Sequence, residues 1–326
     1  MTSEIIKDIE KVQKKRISKN ARLALTFALI TCILIFVFQL FPSIVLGIII
    51  GISGKSFVLT TLGDIVFQII SYVFYIGVPF LIAFFLFKFI NDPNKTPLIK
   101  RCSPKFPVLY VLGAIGCCYL INFIFIILFP SITELASGDD IVAKTPLEIA
   151  LLLVLYAVLP AILEEWGFRH IILKNLLPYG KIGAIIISSI LFGMGHLHPL
   201  SIINATTFGL ILGACYEYTG SIKLTMLIHF MNNAIASIPS LIPEDSPFLL
   251  LFSMFTLSMM GVGIIAIIYY SINGYKRKKF TLKKPDTVGY KLTLFEFINR
   301  LIINYAFLPY VALFAFYIYI IFIDQV

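Results

Sequence analysis

Apolar residues occupy this chain in long unbroken runs rather than in stripes, and that pattern predicts membrane-spanning helices. A hydrocarbon core of about 30 Å is crossed by roughly 20 apolar residues in helical form. By that measure nine runs qualify as spans, at 23–48, 65–90, 107–129, 145–175, 181–197, 201–218, 221–239, 248–272 and 301–323. The fifth, sixth and seventh are short and are separated only by turns such as "LPYGK", "HLHPLS" and "YTGS". The expected fold class is all-α: a polytopic integral membrane protein of about nine transmembrane helices.

The polar segments between the runs set the orientation. If they alternate sides, "KKRISKNAR", "KFINDPNKTPLIKRCSPK", the 174–181 turn, the 217–223 turn and "NGYKRKKFTLKKPDTVGYK" share one face. The strongly basic segments are all in this set. The opposite loops carry Lys55 and then "SITELASGDD", "HLHP" and "PEDSP", which are neutral or acidic. Lys and Arg concentrate in cytoplasmic loops, so the N-terminus is placed in the cytoplasm. Four regions follow: a basic tail at 1–22, N-terminal spans at 23–144, a core at 145–240, and C-terminal spans at 241–326 with a basic loop at 273–298. The tail is too polar, and the first run too long, for a cleavable signal peptide. Ile5, Ile9 and Val12 recur at helical spacing within it, which suits either an anionic lipid surface or solvent.

Composition agrees. The 326 residues are 59% hydrophobic and 13% charged, against about 25% charged in a soluble domain. The mean hydropathy is +0.96. The net charge of +9 is accounted for by the basic loops, and no nucleic-acid motif accompanies it. Five cysteines lie in or beside apolar runs without metal-ligand spacing, so they read as packing residues. Small residues four apart, Ala205-Gly209-Gly213 and Gly47-Gly51, would permit close helix packing. An Ile-, Lys- and Asn-rich composition suggests a low-GC bacterium, hence a bacterial plasma membrane.

Ionisable residues within spans are rare, costly and functional by default. Here they converge: His170, His196, His198 and His229 all follow the acidic pair Glu164-Glu165 within spans four to seven. On a regular helix Glu165 and Arg169 share a face and can pair, whereas Glu164 points about 100° away and lacks that partner. An unpaired carboxylate inside an apolar run suits a general base. Phe192 and His196 are four apart on span five, beside Gly193 and Gly195; His229 and Asn233 are four apart on span seven. Counted at about 1.5 Å per residue, Glu164 and Asn233 reach similar depths, and His196 lies higher. The bland alternatives are a cytoplasmic helix end at Arg169, His170 and Lys174, and polar packing contacts at the histidines.

Three elements thus stand in order: Glu-Glu-x-x-x-Arg at 164–169, Phe-x-x-x-His at 192–196 and His-x-x-x-Asn at 229–233. Together they resemble the CPBP intramembrane protease family, which includes CAAX prenyl endopeptidases and bacteriocin-processing or immunity proteins and is also called the Abi family. The resemblance covers about residues 145–240. It implies peptide-bond hydrolysis within the membrane, with Glu164 activating water and His196 assisting. It also implies that His229 and Asn233 stabilise the oxyanion, that Glu165 and Arg169 orient the site, and that Phe192 packs beside it. The family is commonly labelled a metalloprotease, and Glu164, His196 and His229 could bind zinc; the missing His-Glu-x-x-His motif favours a metal-free glutamate mechanism. The expected partners are the lipid bilayer and a membrane-associated peptide or protein substrate, with no nucleic acid. Two other readings compete: a non-proteolytic regulator of the same fold, and a proton-coupled transporter, against which the absence of an inverted repeat counts.

Overall fold

The computed structural model describes residues 3–53, 60–90, 104–130, 145–196, 199–239, 242, 246–280 and 291–324. His198 and parts of several loops read above for charge, including 91–103, 131–144 and 281–290, lie outside the described residues. Within them the chain forms ten helical elements: α1 (Ser3–Ser53), α2 (Thr61–Phe89), α3 (Pro107–Leu128), α4 (Pro146–Tyr179), α5 (Lys181–Met194), α6 (Pro199–Thr219), α7 (Ile222–Ala236), α8 (Pro247–Phe280), α9 (Leu294–Ile302) and α10 (Phe307–Asp324). Among the described residues there is no strand. The fold is an all-α, multi-pass membrane architecture.

Each of the nine apolar runs is helical, but they differ in reach. Among the described residues six helices are long and apolar enough to cross a bilayer, and a seventh candidate is the α9–α10 pair, bent by 76°. Helices α5 and α7, at 14 and 15 residues, are shorter than a regular span. The last run also divides differently from the expected 301–323. Asn304 accepts from the Ala306 amide and donates to Thr26 of α1, so its side chain supports the break between α9 and α10. The amphipathic α9 lies before that break, with Phe297 buried and Phe295 exposed. The stretch expected as a basic loop at 273–298 is largely helical at its ends: α8 continues to Phe280 and α9 begins at Leu294. The N-terminal tail is likewise a helical extension of α1.

Local sequence sets the helix starts. Thr145 caps α4 in a reciprocal box with Glu148, with Pro146 in the first turn; Thr293 and Glu296 repeat the box at α9. Thr60 and Ser221 accept from the first turns of α2 and α7. The ion pair Lys181–Glu217 ties the α4–α5 turn to the end of α6, so both turns sit at one end of the bundle. The charge alternation had placed these two turns on the same side.

Small residues bring some helices into contact, though not all those the spacing suggested. Ser189 of α5 lies 3.0 Å from a Cβ built at Gly209, and Ile185 lies 3.1 Å from one at Gly213; around Gly47 and Gly51 there is nothing within 4 Å. The tightest approach to backbone is between α3 and α8, where a Cβ at Gly116 would stand 1.9 Å from the Met259 carbonyl oxygen. Backbone cannot yield there as a side chain could. Gly116→Val should therefore push α3 and α8 apart and destabilise by about 1–3 kcal/mol, the usual range for overpacking. Thermal unfolding in detergent checks this, with Gly47→Val as the substitution expected to leave it unchanged.

Candidate active site

Three π-helical segments shape the site. Val73–Gly77 and Val154–Val158 each precede a proline, Pro79 and Pro160, and Glu165–Leu173 runs through the acidic motif itself. A proline ring clashes with the carbonyl four residues back and returns no N–H to it; a wider turn relieves that contact. For Pro160 the carbonyl four back belongs to Tyr156, and Asn233 Nδ2 of α7 donates to it at 3.1 Å. A defect in α4 thus becomes the anchor for one of the motif residues. Asn233 Oδ1 in turn accepts from Asn232 Nδ2 at 3.2 Å, which orients the amide.

The two acids have different partners. Glu165 is fully buried, and its Oε1 lies 3.3 Å from Arg169 Nη1. The Arg169 guanidinium stacks over the Phe192 ring at 4.4 Å, so Phe192 is the floor on which the ion pair rests. Phe192 also meets Phe168, His196 and His229 edge-on. Gly167 completes this packing: a Cβ there would stand 2.2 Å from the Phe80 ring, and Phe80 sits edge-on against Phe168.

Glu164 is without a cation but not without a partner. Its Oε1 accepts a 2.5 Å hydrogen bond from the Tyr72 hydroxyl of α2, whereas its buried Oε2 has no hydrogen-bond partner in the protein. His229, itself buried, lies between the two acids. Its Nδ1 is 3.0 Å from Glu165 Oε1 and its Nε2 is 3.7 Å from Glu164 Oε2. The two nitrogens of an imidazole point away from each other, so one ring can address carboxylates that diverge from adjacent positions. Because the Arg-paired Glu165 acts as an acceptor, Nδ1 carries a proton and Nε2 is the nitrogen presented to Glu164.

A cavity of about 550 Å³ opens beside Glu164, with Tyr72, His196 and Asn233 among its lining groups and mostly apolar walls from α1, α2 and α4. His196 is exposed at the end of α5 and makes no ion pair with Glu164; its Nδ1 lies 3.1 Å from the Phe192 carbonyl. Gly193 faces α6, where a Cβ would stand 1.9 Å from Thr206 Oγ1, and Gly195 lines the cavity. The structure therefore gathers Glu164, Glu165, Arg169, Phe192 and His229 into one connected group, with His196 and Asn233 lining the cavity beside it. As a zinc site the set does not fit: among the described residues no three His, Cys, Asp or Glu side chains converge as metal ligands.

Tyr72 is the residue the motifs did not indicate. It is one of 16 tyrosines, on a helix that carries no motif, and only the packing of α2 against α4 gives it meaning. Tyr72→Phe removes one hydrogen bond to a charged acceptor, about 1.5–3 kcal/mol. The substitution should lower thermal stability by about that amount while the protein still folds, which unfolding in detergent would read.

Comparison with known proteins agrees with this geometry. Residues 146–235 match the family model described as Type II CAAX prenyl endopeptidase Rce1-like. The match starts with the first residue of α4 and ends one residue short of the end of α7, so it covers the helices that hold the polar group. This segment is similar to the CPBP/CAAX protease family, and the likeness supports, at family level, a CAAX-type intramembrane protease. Neither a curated protein nor a solved structure matches the chain.

Proposed function

We propose that the protein is an intramembrane endopeptidase that hydrolyses a peptide bond in a membrane-associated peptide or protein, with Glu164 as the base that activates water. The observation that carries this reading is the contrast between the two adjacent acids. Glu165 is neutralised by Arg169. Glu164 faces the cavity with one oxygen held by Tyr72 and the other without a hydrogen-bond partner.

In the proposed mechanism the peptide lies in the cavity beside Glu164. Glu164 removes a proton from water as the oxygen attacks the carbonyl carbon, and His196 at the rim assists in holding that water. The tetrahedral oxyanion is stabilised by a donor from α7, the second N–H of the Asn233 amide, which has one donor beyond the bond to Tyr156, while His229 stands beside Glu164. Glu164 then returns the proton to the leaving amine, so the base ends the cycle as it began. Glu165 and Arg169 keep His229 and Phe192 in place. No step is routed through a metal.

The substrate is either a CAAX-type protein or a bacterial peptide undergoing maturation, including a role in bacteriocin immunity. Mass spectrometry of membrane peptides from cells with and without the protein tests the reading. The expected result is an uncleaved precursor that accumulates in its absence and disappears when wild type, but not Glu164→Gln, is restored. Identical peptide profiles, with biological activity that survives loss of Glu164 and His196, would replace proteolysis by a regulatory role of the same fold.

A further inference from the structure

A second cavity, about 310 Å³ in volume, lies on the other side of Phe192, His196 and Asn233, which line both spaces. Glu164 lines only the larger cavity, and His229 lines only the smaller one. The polar group therefore lies between two cavities, and amide and hydroxyl side chains make up the greater share of the lining in the smaller one. The larger is walled mostly by apolar side chains. The smaller is lined by Asn122, Ser201, Asn204, Thr207 and Asn232, contributed by α3, α6 and α7.

Five amide and hydroxyl side chains converging between apolar helices are costly unless their hydrogen-bonding groups are satisfied. Asn204 Oδ1 is buried and has no partner in the protein. Apolar cavities stay dry, but a roomy cavity lined with polar groups holds water. At about 30 Å³ per molecule, this volume accommodates on the order of ten waters. Hydrolysis in a membrane also raises a supply problem: a peptide filling the larger cavity displaces the water that Glu164 must activate.

Resting on the hydrolase reading above, we propose that the smaller cavity is a water-filled antechamber. It supplies the hydrolytic water past His196 and Asn233 while substrate occupies the larger cavity. Asn233 then faces water on one side and the reacting carbonyl on the other, and His229 faces the water. The antechamber refills the site without the substrate leaving, and its demand is for polarity rather than for any particular side chain.

Radiolytic hydroxyl footprinting of the intact protein in nanodiscs tests hydration without reference to activity. Phe208 lines the chamber and is only 7% exposed, and Phe80 is fully buried elsewhere. Phe208 should be oxidised at least fivefold faster than Phe80. Thr207→Val, and the double variant Asn204→Leu/Thr207→Val, keep volume while removing polarity. They should slow Phe208 oxidation and lower kcat by tenfold or more, with KM within twofold of wild type. Asn204→Ser, which keeps a hydroxyl, should retain most of kcat. Equal oxidation of Phe208 and Phe80 overturns the proposal, as does a variant whose Phe208 is protected but whose kcat is unchanged. Peptide cleavage by wild type with a dry chamber refutes the antechamber alone. A wet chamber in a protein that cleaves nothing refutes the protease reading, and the supply role with it.

Discussion

Glu164→Gln is expected to abolish peptide cleavage, lowering kcat by about 10³-fold or more, within the range for loss of a general base, while thermal stability stays close to wild type. Glutamine has nearly the volume of glutamate, and its amide oxygen can still accept from the Tyr72 hydroxyl that now bonds Glu164 Oε1. What it cannot do is take a proton from water. The neighbouring substitution, Glu165→Gln, should behave in the opposite way at the level of folding, because it leaves the buried Arg169 without its counter-charge. Cleavage assays with a defined peptide and unfolding scans on the same preparations separate the two. Glu164→Gln activity within tenfold of wild type would remove Glu164 from the role of base.

The second large effect is on stability. Arg169 is among the largest fully buried side chains in the protein; it is held by Glu165 and by the face of Phe192. Breaking a buried ion pair by removing one partner costs about 3–5 kcal/mol, because the other charge is left desolvated and unpaired. Arg169→Met should therefore lower stability by about that amount. The double variant Glu165→Gln/Arg169→Met should recover more than half of it, since no isolated charge remains. Recovery will be incomplete because Glu165 also holds His229 Nδ1 at 3.0 Å. Unfolding of the four proteins in one detergent completes the cycle. If the double variant is as unstable as the two single losses added, Glu165 and Arg169 do not act as a pair.

These predictions differ in how far they could be foreseen. The Glu165–Arg169 pair follows from four-residue spacing, which places two side chains on one helix face whatever surrounds them. The position of His229 does not follow from spacing. Helix geometry sends the two acids apart, and only the docking of α7 against α4 inserts a ring whose opposite nitrogens reach both. His229 was expected to serve the oxyanion with Asn233; its place between the acids adds a link between the pair that orients and the acid proposed to react. The tyrosine on Glu164 was illegible for a related reason: its partner lies 92 residues away in the chain.

The sequence by itself determined the all-α membrane architecture, the helical character of the nine apolar runs and the resemblance of segment 146–235 to a protease family. These depend on local quantities: run length, capping residues, and motifs spaced at one helical turn. Tertiary structure alone decided where the last run breaks, and that Gly47 and Gly51 meet nothing while Gly116 meets backbone. It also placed Tyr72 on Glu164, and divided the space around Phe192 into two cavities. Each of these depends on contacts between segments far apart in the chain, where the docking of whole helices, not local propensity, sets which side chains meet.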